Sequence, residues 1–332
     1  MFKVRTSLRY LCLIHALSFG SALDAANWMR DNIAWLGYRT LKQLCVPGTH
    51  NSGMNRFSGG TSFAKPCNTL NQSQSILKQL ELGVRYLDIR PVIADGRLLT
   101  GHYTKIASFS WQGGNGQSMD SIVDEINSFT RSHNELIMIS LSHALNTDVG
   151  NRYYRAFIKE EWDRLFRLLD RTKFLINGTS FTFFPWMTLS DLTKNGTTAA
   201  VLYTVDSLFT SVFVGKRVGY GFFYRNSLGP FNRFSDSNIF STMFDDQIKK
   251  MRIWSKSAYF LLSWTLTQSP LDATLCPLRN SLHQLALEAN KFLRNLLKET
   301  TSSAFPNIIS LDFVETPLVT EVAIEVNRKV KY

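Results

Sequence analysis

The stretch Gln79-Leu80-Glu81-Leu82-Gly83-Val84-Arg85-Tyr86-Leu87-Asp88-Ile89-Arg90 reads as a helix end, a break and a strand. Ser75–Leu82 is helical in pattern, and Gly83 stands where a helix C-cap needs a left-handed residue. Val84–Ile89 is apolar and β-prone and ends on an acid and a base, Asp88 and Arg90. Outward from it, short β-rich runs alternate with longer helical ones: Leu41–Val46, Leu98–Gly101, Leu136–Leu141, Ala199–Val205, Phe260–Leu266 and Ile308–Phe313, with Arg217–Phe223 as a weaker eighth. Between them lie amphipathic faces: Met119, Ile122, Val123, Ile126 and Phe129; then Tyr154, Phe157, Ile158, Leu165, Phe166 and Leu169; then Leu278, Leu282, Leu285, Ala289, Phe292 and Leu296. Alternation of this kind implies an α/β chain, and seven or eight such strands imply a closed or nearly closed (β/α) barrel of the TIM type.

Barrels carry their chemistry at the C-terminal ends of the strands. His50 follows the first expected strand, Asp88 and Arg90 end the second, His102 the third and His143 the fourth. Asp206 follows the fifth and Asp312 ends the last. Titratable residues are thus expected around one mouth. The first strand runs into the turn of Leu44-Cys45-Val46-Pro47-Gly48-Thr49-His50-Asn51-Ser52-Gly53, and the third into Leu99-Thr100-Gly101-His102-Tyr103. Two imidazoles and a guanidinium at one mouth suit cleavage of a phosphodiester by an internal hydroxyl. That reaction needs a base on the nucleophile, an acid on the leaving oxygen and a fixed cation on the phosphoryl oxygens. Any one of these histidines alone would read as a strand cap or core residue. His133 and His283 fall on helix positions and take no role.

The chain has 332 residues, 44% hydrophobic and 19% charged, enough apolar material for one large core. Lys3, Arg5 and Arg9 precede an apolar run, Tyr10 to Phe19, and then Gly20, Ser21 and Ala22. That order is a secretory signal peptide's, so residues 1–22 are set apart as a leader and 23–332 are read as one domain. Sequons at Asn71, Asn177 and Asn195 agree with secretion. Beyond the leader stand Cys45, Cys67 and Cys276, which allow one disulfide and one free thiol. The nearer pair, Cys45–Cys67, would close a loop of about 20 residues for roughly 3 kcal/mol; three buried thiols are the alternative. No zinc-binding spacing occurs. The formal charge is +11, and removal of Lys3, Arg5 and Arg9 leaves +8. A basic, aromatic-rich secreted protein suits an anionic membrane surface. No nucleic-acid-binding motif is present.

Four segments, Pro47-Gly48-Thr49-His50-Asn51-Ser52, Gly83-Val84-Arg85-Tyr86-Leu87-Asp88-Ile89-Arg90, Gly101-His102 and Glu135-Leu136-Ile137-Met138-Ile139-Ser140-Leu141, resemble the X region of phosphatidylinositol-specific phospholipase C, in its single-domain, bacterial-like form. Leu261–Thr267 and Ser310–Phe313 resemble later strands of that family. The resemblance spans about residues 27 to 315. It implies a monomeric phosphodiesterase that works on inositol phospholipid at a membrane, with His50 as general base on the inositol 2-hydroxyl and His102 as general acid on the leaving oxygen. It further implies that Arg90 holds the phosphate, that Asp88 bonds within that site and that Asp312 orients His50. Asn51, Trp264 and His143 are expected to line the substrate site.

The chain departs from the family pattern in three places. Bacterial members carry an Asp, assisting the acid, where Asn51 stands. Calcium-dependent members carry Asn there as a metal ligand, but Tyr86 and Leu141 replace two of their glutamates. Asn51 and Asp88 alone make a poor calcium site, so the expectation is a metal-independent site with no cofactor. The family's inositol-gripping Arg is not evident in Tyr203-Thr204-Val205-Asp206. A catalytically weak relative that binds phosphoinositide or glycan head groups is therefore the alternative. Glycerophosphodiesterase-like barrels need a carboxylate-rich metal site, which the sequence lacks. Residues 205–240 interleave Phe209, Phe213, Tyr220, Phe222, Phe223, Tyr224, Phe231 and Phe234 with Lys216, Arg217, Arg225 and Arg233, a pattern that suits either a lipid interface or a strand and helix core.

Overall fold

The computed structural model describes residues 23–106, 110–177, 184–206 and 215–330. The expected leader, residues 1–22, as well as Phe209, Phe213 and the side chain of Lys216, lie outside the described residues. Eight strands form one curled, all-parallel sheet: β1 (Val46–Thr49), β2 (Tyr86–Ile89), β6 (Leu136–Leu141), β9 (Ala200–Val205), β10 (Phe222–Tyr224), β11 (Pro230–Phe231), β12 (Tyr259–Trp264) and β13 (Ile308–Leu311). Their order is β10-β9-β6-β2-β1-β13-β12-β11. Among the described residues no ladder joins β10 to β11, so the barrel is open there.

Period-two alternation decides what each strand residue faces. Leu87, Ile89, Ile137, Ile139, Leu141, Leu262, Trp264, Ile309 and Leu311 point outward and pack against the helices in one core. Tyr86, Met138, Leu202, Phe223, Leu261 and Ile308 point inward and fill the barrel. Further along each strand the inward positions turn polar: Asp88, Ser140, Ser263 and Ser310. The interior is thus oily at its base and polar at the C-terminal ends.

Below the oily layer Arg85 and Glu135 form an ion pair at 2.9 Å with neither side chain exposed. Glu135 also accepts the N–H groups of Met29 and Arg30, and Arg85 donates to the carbonyls of Leu80, Val84 and Ala26. This closes the bottom of the barrel. The helix Met119–Thr130 buries the five residues expected of it. The helix Lys159–Leu169 buries Trp162, Leu165, Phe166 and Leu169, while Tyr154, Phe157 and Ile158 precede it. Leu278 is 89% exposed and lies ahead of the helix Leu282–Asn290.

Three strands differ from their sequence assignment; the weak eighth, Arg217–Phe223, starts as a 3-10 turn and keeps only β10, Phe222–Tyr224. Leu41–Gln43 is a 3-10 turn, and β1 begins only at Val46. The run Leu98–Gly101 is no barrel strand. It belongs to β4 (Arg97–Ile106) of a second sheet with β3 (Pro91–Ala94), β5 (Ser110–Ser118), β7 (Leu145–Asn146) and β8 (Arg155–Ala156), ordered β5-β4-β3-β7-β8. Asp95 and Gly96 sit between β3 and β4 at φ 51° and 68°. Positive φ at both central residues makes a two-residue hairpin turn, so the chain doubles back before it can build a crossover. The barrel's third strand is β6 instead.

Cys67 and Cys276 are disulfide-bonded, and Cys45 is free and buried; the nearer pairing is corrected. Cys45 faces the outer core with Leu80, Val84 and Val326, where no thiol from the surface loops can meet it. Loop-closure entropy over a separation of 209 residues is worth about 5 kcal/mol in the chain-entropy model. Alkylation of the native, unreduced protein is expected to label none of these three cysteines, and of the denatured, unreduced protein Cys45 alone. Native labelling of Cys67 or Cys276, read by peptide mapping, would refute the pairing.

Candidate active site

The turn after β1 is held from several sides, and that fixes where His50 points. The hydroxyl of Thr49 donates to Gln79 Oε1, whose amide donates to the Ser52 carbonyl. The His50 N–H donates to the Leu311 carbonyl, and that of Ser52 to the Asp88 carbonyl. From this turn His50 stands over the polar end of the barrel with its side chain 15% exposed.

His50 Nδ1 lies 2.8 Å from Asp312 Oδ1. A carboxylate only accepts, so Nδ1 carries the hydrogen and Nε2 presents its lone pair. Arg90 Nη2 donates to that lone pair at 2.8 Å. Arg90 Nε in turn donates to Asp88 Oδ2 at 3.1 Å. Asp88 also accepts the Asn51 N–H on Oδ2 and the Ser142 hydroxyl on Oδ1. Burial alone would raise the Asp88 carboxyl, but Arg90, His50 and the Asn51 amide outweigh it and hold the group well below the usual carboxylate range. The result is a hydrogen-bonded chain, Asp312–His50–Arg90–Asp88–Ser142.

His102 faces this chain from the second sheet. The rings of His50 and His102 have centroids 6.5 Å apart and meet edge to face. The β4–β5 register shifts between Leu99 and Gly101, and such a bulge re-aims the side chains beside it. Opposite the next residue, Tyr103, Gly113 at φ 156° comes so close that a Cβ would stand 2.1 Å from the His102 carbonyl oxygen; only glycine fits. His102 Nδ1 is 3.0 Å from the Thr69 carbonyl. That nitrogen is therefore the donor, and Nε2 is free to exchange a proton. Burial first, then the charges of Arg90 and His50, push the His102 imidazole down to about 4. His102 is therefore neutral at pH 7.

The sequence places His50, Asp88, Arg90, His102 and Asp312 in one site, and the structure brings all five together. His143, exposed, lines the same mouth and donates from Nδ1 to the Ser142 hydroxyl. Two substrate-binding assignments are corrected. Trp264 has odd parity on β12, so its ring is wholly buried against the helices and its Nε1 donates to the Ala289 carbonyl. Asn51 is 1% exposed, and its Nδ2 donates to Asn71 Oδ1 at 2.9 Å rather than facing the mouth or His102. Asn71 is equally buried and donates to Asp312, so a glycan at that sequon is incompatible with the fold. Asn177 and Asn195 are exposed.

Sequence reasoning missed Asn232, Ser140, Ser263 and Ser310 and gave Arg225 no place in the site; all five line the mouth with Tyr86 and Phe234. Arg225 follows the short β10 and makes no salt bridge among the described residues. The aromatic-basic segment divides: Phe222 and Phe223 are core, Phe234 lies 5.5 Å from the His50 ring, and Arg217 pairs with Asp170. A second cleft of about 280 Å³, walled by Tyr103, Trp111 and Tyr154, adjoins the mouth at Arg90 and His143.

No family model and no curated protein matches the sequence. Solved structures do. The phosphatidylinositol-specific phospholipase C of Staphylococcus aureus superposes with a TM-score of 0.63 at 14% identity, over 93% of this chain and 98% of its own. That of Listeria monocytogenes gives 0.62 at 16%, over 93% and 100%. The fold is that of bacterial phosphatidylinositol-specific phospholipase C. Within this fold the present chain keeps its two imidazoles at one barrel mouth. A calcium ion there would have to draw on Asn51 and Asp88. Asp88 commits both oxygens to Arg90, Ser142 and the Asn51 amide, and the Asn51 side chain is turned into the protein. Among the described residues no group of three or more His, Cys, Asp or Glu side chains could hold a metal.

Proposed function

We propose that this chain is a secreted, monomeric phosphodiesterase of phospholipase C type that cleaves an inositol phospholipid at a membrane surface without a metal. The observation that carries the reading is the chain Asp312–His50–Arg90–Asp88 facing His102 across one mouth. Arg90 caps the lone pair of His50 and lies close enough to release it to a substrate hydroxyl while turning to the phosphoryl oxygens. His50 Nε2 then takes the 2-hydroxyl proton, and Asp312 stabilises the imidazolium. The hydroxyl oxygen attacks phosphorus and the bond to the glycerol oxygen breaks; His102, which takes up a proton from solvent at Nε2 once the phosphodiester anion is bound, gives that proton to the departing oxygen. The products are a cyclic inositol phosphate and diacylglycerol.

The apolar rim supports the lipid surface. Phe63, in the loop after β1, and Leu271 and Leu278, after β12, are exposed at 70%, 51% and 89%, on the end of the barrel where the mouth opens. No helix among the described residues is long and apolar enough to cross a membrane. The Cys67–Cys276 disulfide suits an oxidising compartment. Arg90 supplies the positive charge that a calcium ion would otherwise bring to the phosphate.

Purified protein is expected to release diacylglycerol from phosphatidylinositol vesicles equally with and without a chelator, and to lose this on His50→Ala. Activity that disappears with chelator and returns with calcium would refute the metal-free reading. Binding of inositol phosphate without turnover would favour the head-group-binding alternative.

A further inference from the structure

We propose that Asn71 is a positioning residue for the base, acting on His50 through Asp312. The inference rests on His50 being the base and concerns what sets that base's orientation and proton affinity. Asn71 Nδ2 donates to Asp312 Oδ1 at 3.1 Å, the same oxygen that receives His50 Nδ1 at 2.8 Å. Asn71 Oδ1 accepts from Asn51 Nδ2 at 2.9 Å, which fixes the amide with its nitrogen towards the carboxylate. The backbone is clamped as well. The Asn71 N–H donates to the Met54 carbonyl, and its carbonyl accepts the Phe313 N–H at 2.7 Å. The next side chain, Gln72, donates to the carbonyls of His50 and Leu311 and accepts the Val314 N–H. One short segment thus holds the carboxylate, the strand that carries it and the turn that carries the base.

Oδ1 of Asp312 has two lone pairs, and the imidazole and the amide occupy both. A second donor on that oxygen draws off charge that would otherwise favour the imidazolium, so it lowers the proton affinity of His50. It also prevents the carboxylate from rotating, and the carboxylate's angle sets where Nε2 points. The other charged or titratable groups that face His50 are Arg90, Asp88 and His102, with His143 and Arg225 in the same mouth. None of these touches Asn71, so its removal acts through Asp312.

The test is titration of the His50 ring by NMR in the full chain, which needs no turnover. Asn71→Ala is expected to raise the His50 midpoint by about half a unit or more. The acid limb of kcat/KM then moves to higher pH in step, and kcat falls about tenfold with little change in KM. Asn71→Asp, which sets a second carboxylate against Asp312, is expected to raise the midpoint further, and Asn71→Ser to recover part of the loss. In the wild-type protein the Asn71 amide resonances are expected to follow the His50 titration. That arm decides the question even where a variant does not fold. An unshifted His50 midpoint in a folded variant, or wild-type amide resonances indifferent to His50, overturns the proposal. A protein that turns over no phosphatidylinositol overturns the proposed function and leaves the titration to decide Asn71.

Discussion

Replacement of His102 by alanine is expected to slow cleavage of phosphatidylinositol by 10²–10⁴-fold, while a substrate with a phenolate-type leaving group loses far less. The difference arises because a glycerol alkoxide cannot depart unprotonated and a stabilised phenolate can. The geometry supports the acid assignment, since Nδ1 is tied to the Thr69 carbonyl and only Nε2 can reach a leaving oxygen. Electrostatics add a pH signature. With the substrate-free imidazole held down to about 4 by burial, Arg90 and His50, about one molecule in 10³ carries the proton at pH 7. A bound phosphodiester anion offsets the Arg90 charge and draws the proton onto His102. The alkaline limb of kcat, which reports the complex, is therefore expected at higher pH than that of kcat/KM, which reports the free protein. Coincident limbs, or equal losses with both leaving groups, would remove His102 from the acid's role.

The base side of this site was legible because strand parity is a strict rule. Asp88 on β2 and Arg90 just past its end are two apart and so face one side together, and His50 and Asp312 follow neighbouring strands whose pairing holds Thr49 opposite Leu311. The same rule, applied through, would have found Ser140, Ser263 and Ser310, and would have turned Trp264 outward. His102 was identified for the wrong structural reason. The Asp95-Gly96 pair signals a hairpin, not a crossover, and His102 comes to the mouth from a separate sheet. Asn232 escaped notice, and Arg225 was read only as part of an aromatic-basic segment, because β10 and β11 span three and two residues, too few for any periodicity to register. The Cys67–Cys276 pairing was beyond reach for another reason. Loop-closure entropy grows only with the logarithm of loop length, so nearness in sequence is a weak guide to pairing. Asn71 read as a surface sequon; nothing in three residues of sequence reports that its side chain is buried beneath a carboxylate.

Truncation of Glu135 to alanine is expected to cost about 3–5 kcal/mol of unfolding free energy, out of about 5–15 kcal/mol for a typical domain. Glu135 lies far below the mouth, at the start of β6, and its loss leaves the wholly buried Arg85 guanidinium without its counter-charge. It also orphans the N–H groups of Met29 and Arg30, which have Glu135 as their acceptor at 3.1 and 2.8 Å. Glu135→Gln keeps an acceptor and the volume, so it is expected to lose less. The double variant Arg85→Met, Glu135→Leu removes both charges and isolates the cause. If the uncompensated guanidinium dominates, the double variant recovers most of the loss, because an apolar pair of similar volume often replaces a buried ion pair at little cost. If the orphaned amides and carbonyls dominate, the double variant remains as unstable as Glu135→Ala, since Met29, Arg30 and Ala26 still lack these partners. The hydrogen-bond geometry favours the second result. Glu135 receives two backbone donors besides Arg85, and Arg85 donates to four backbone carbonyls, so the pair works mainly as a plug for backbone groups at the barrel floor. Denaturant unfolding of the four proteins measures this. A Glu135→Ala midpoint equal to wild type at unchanged slope would show that solvent reaches the floor and that the pair closes nothing.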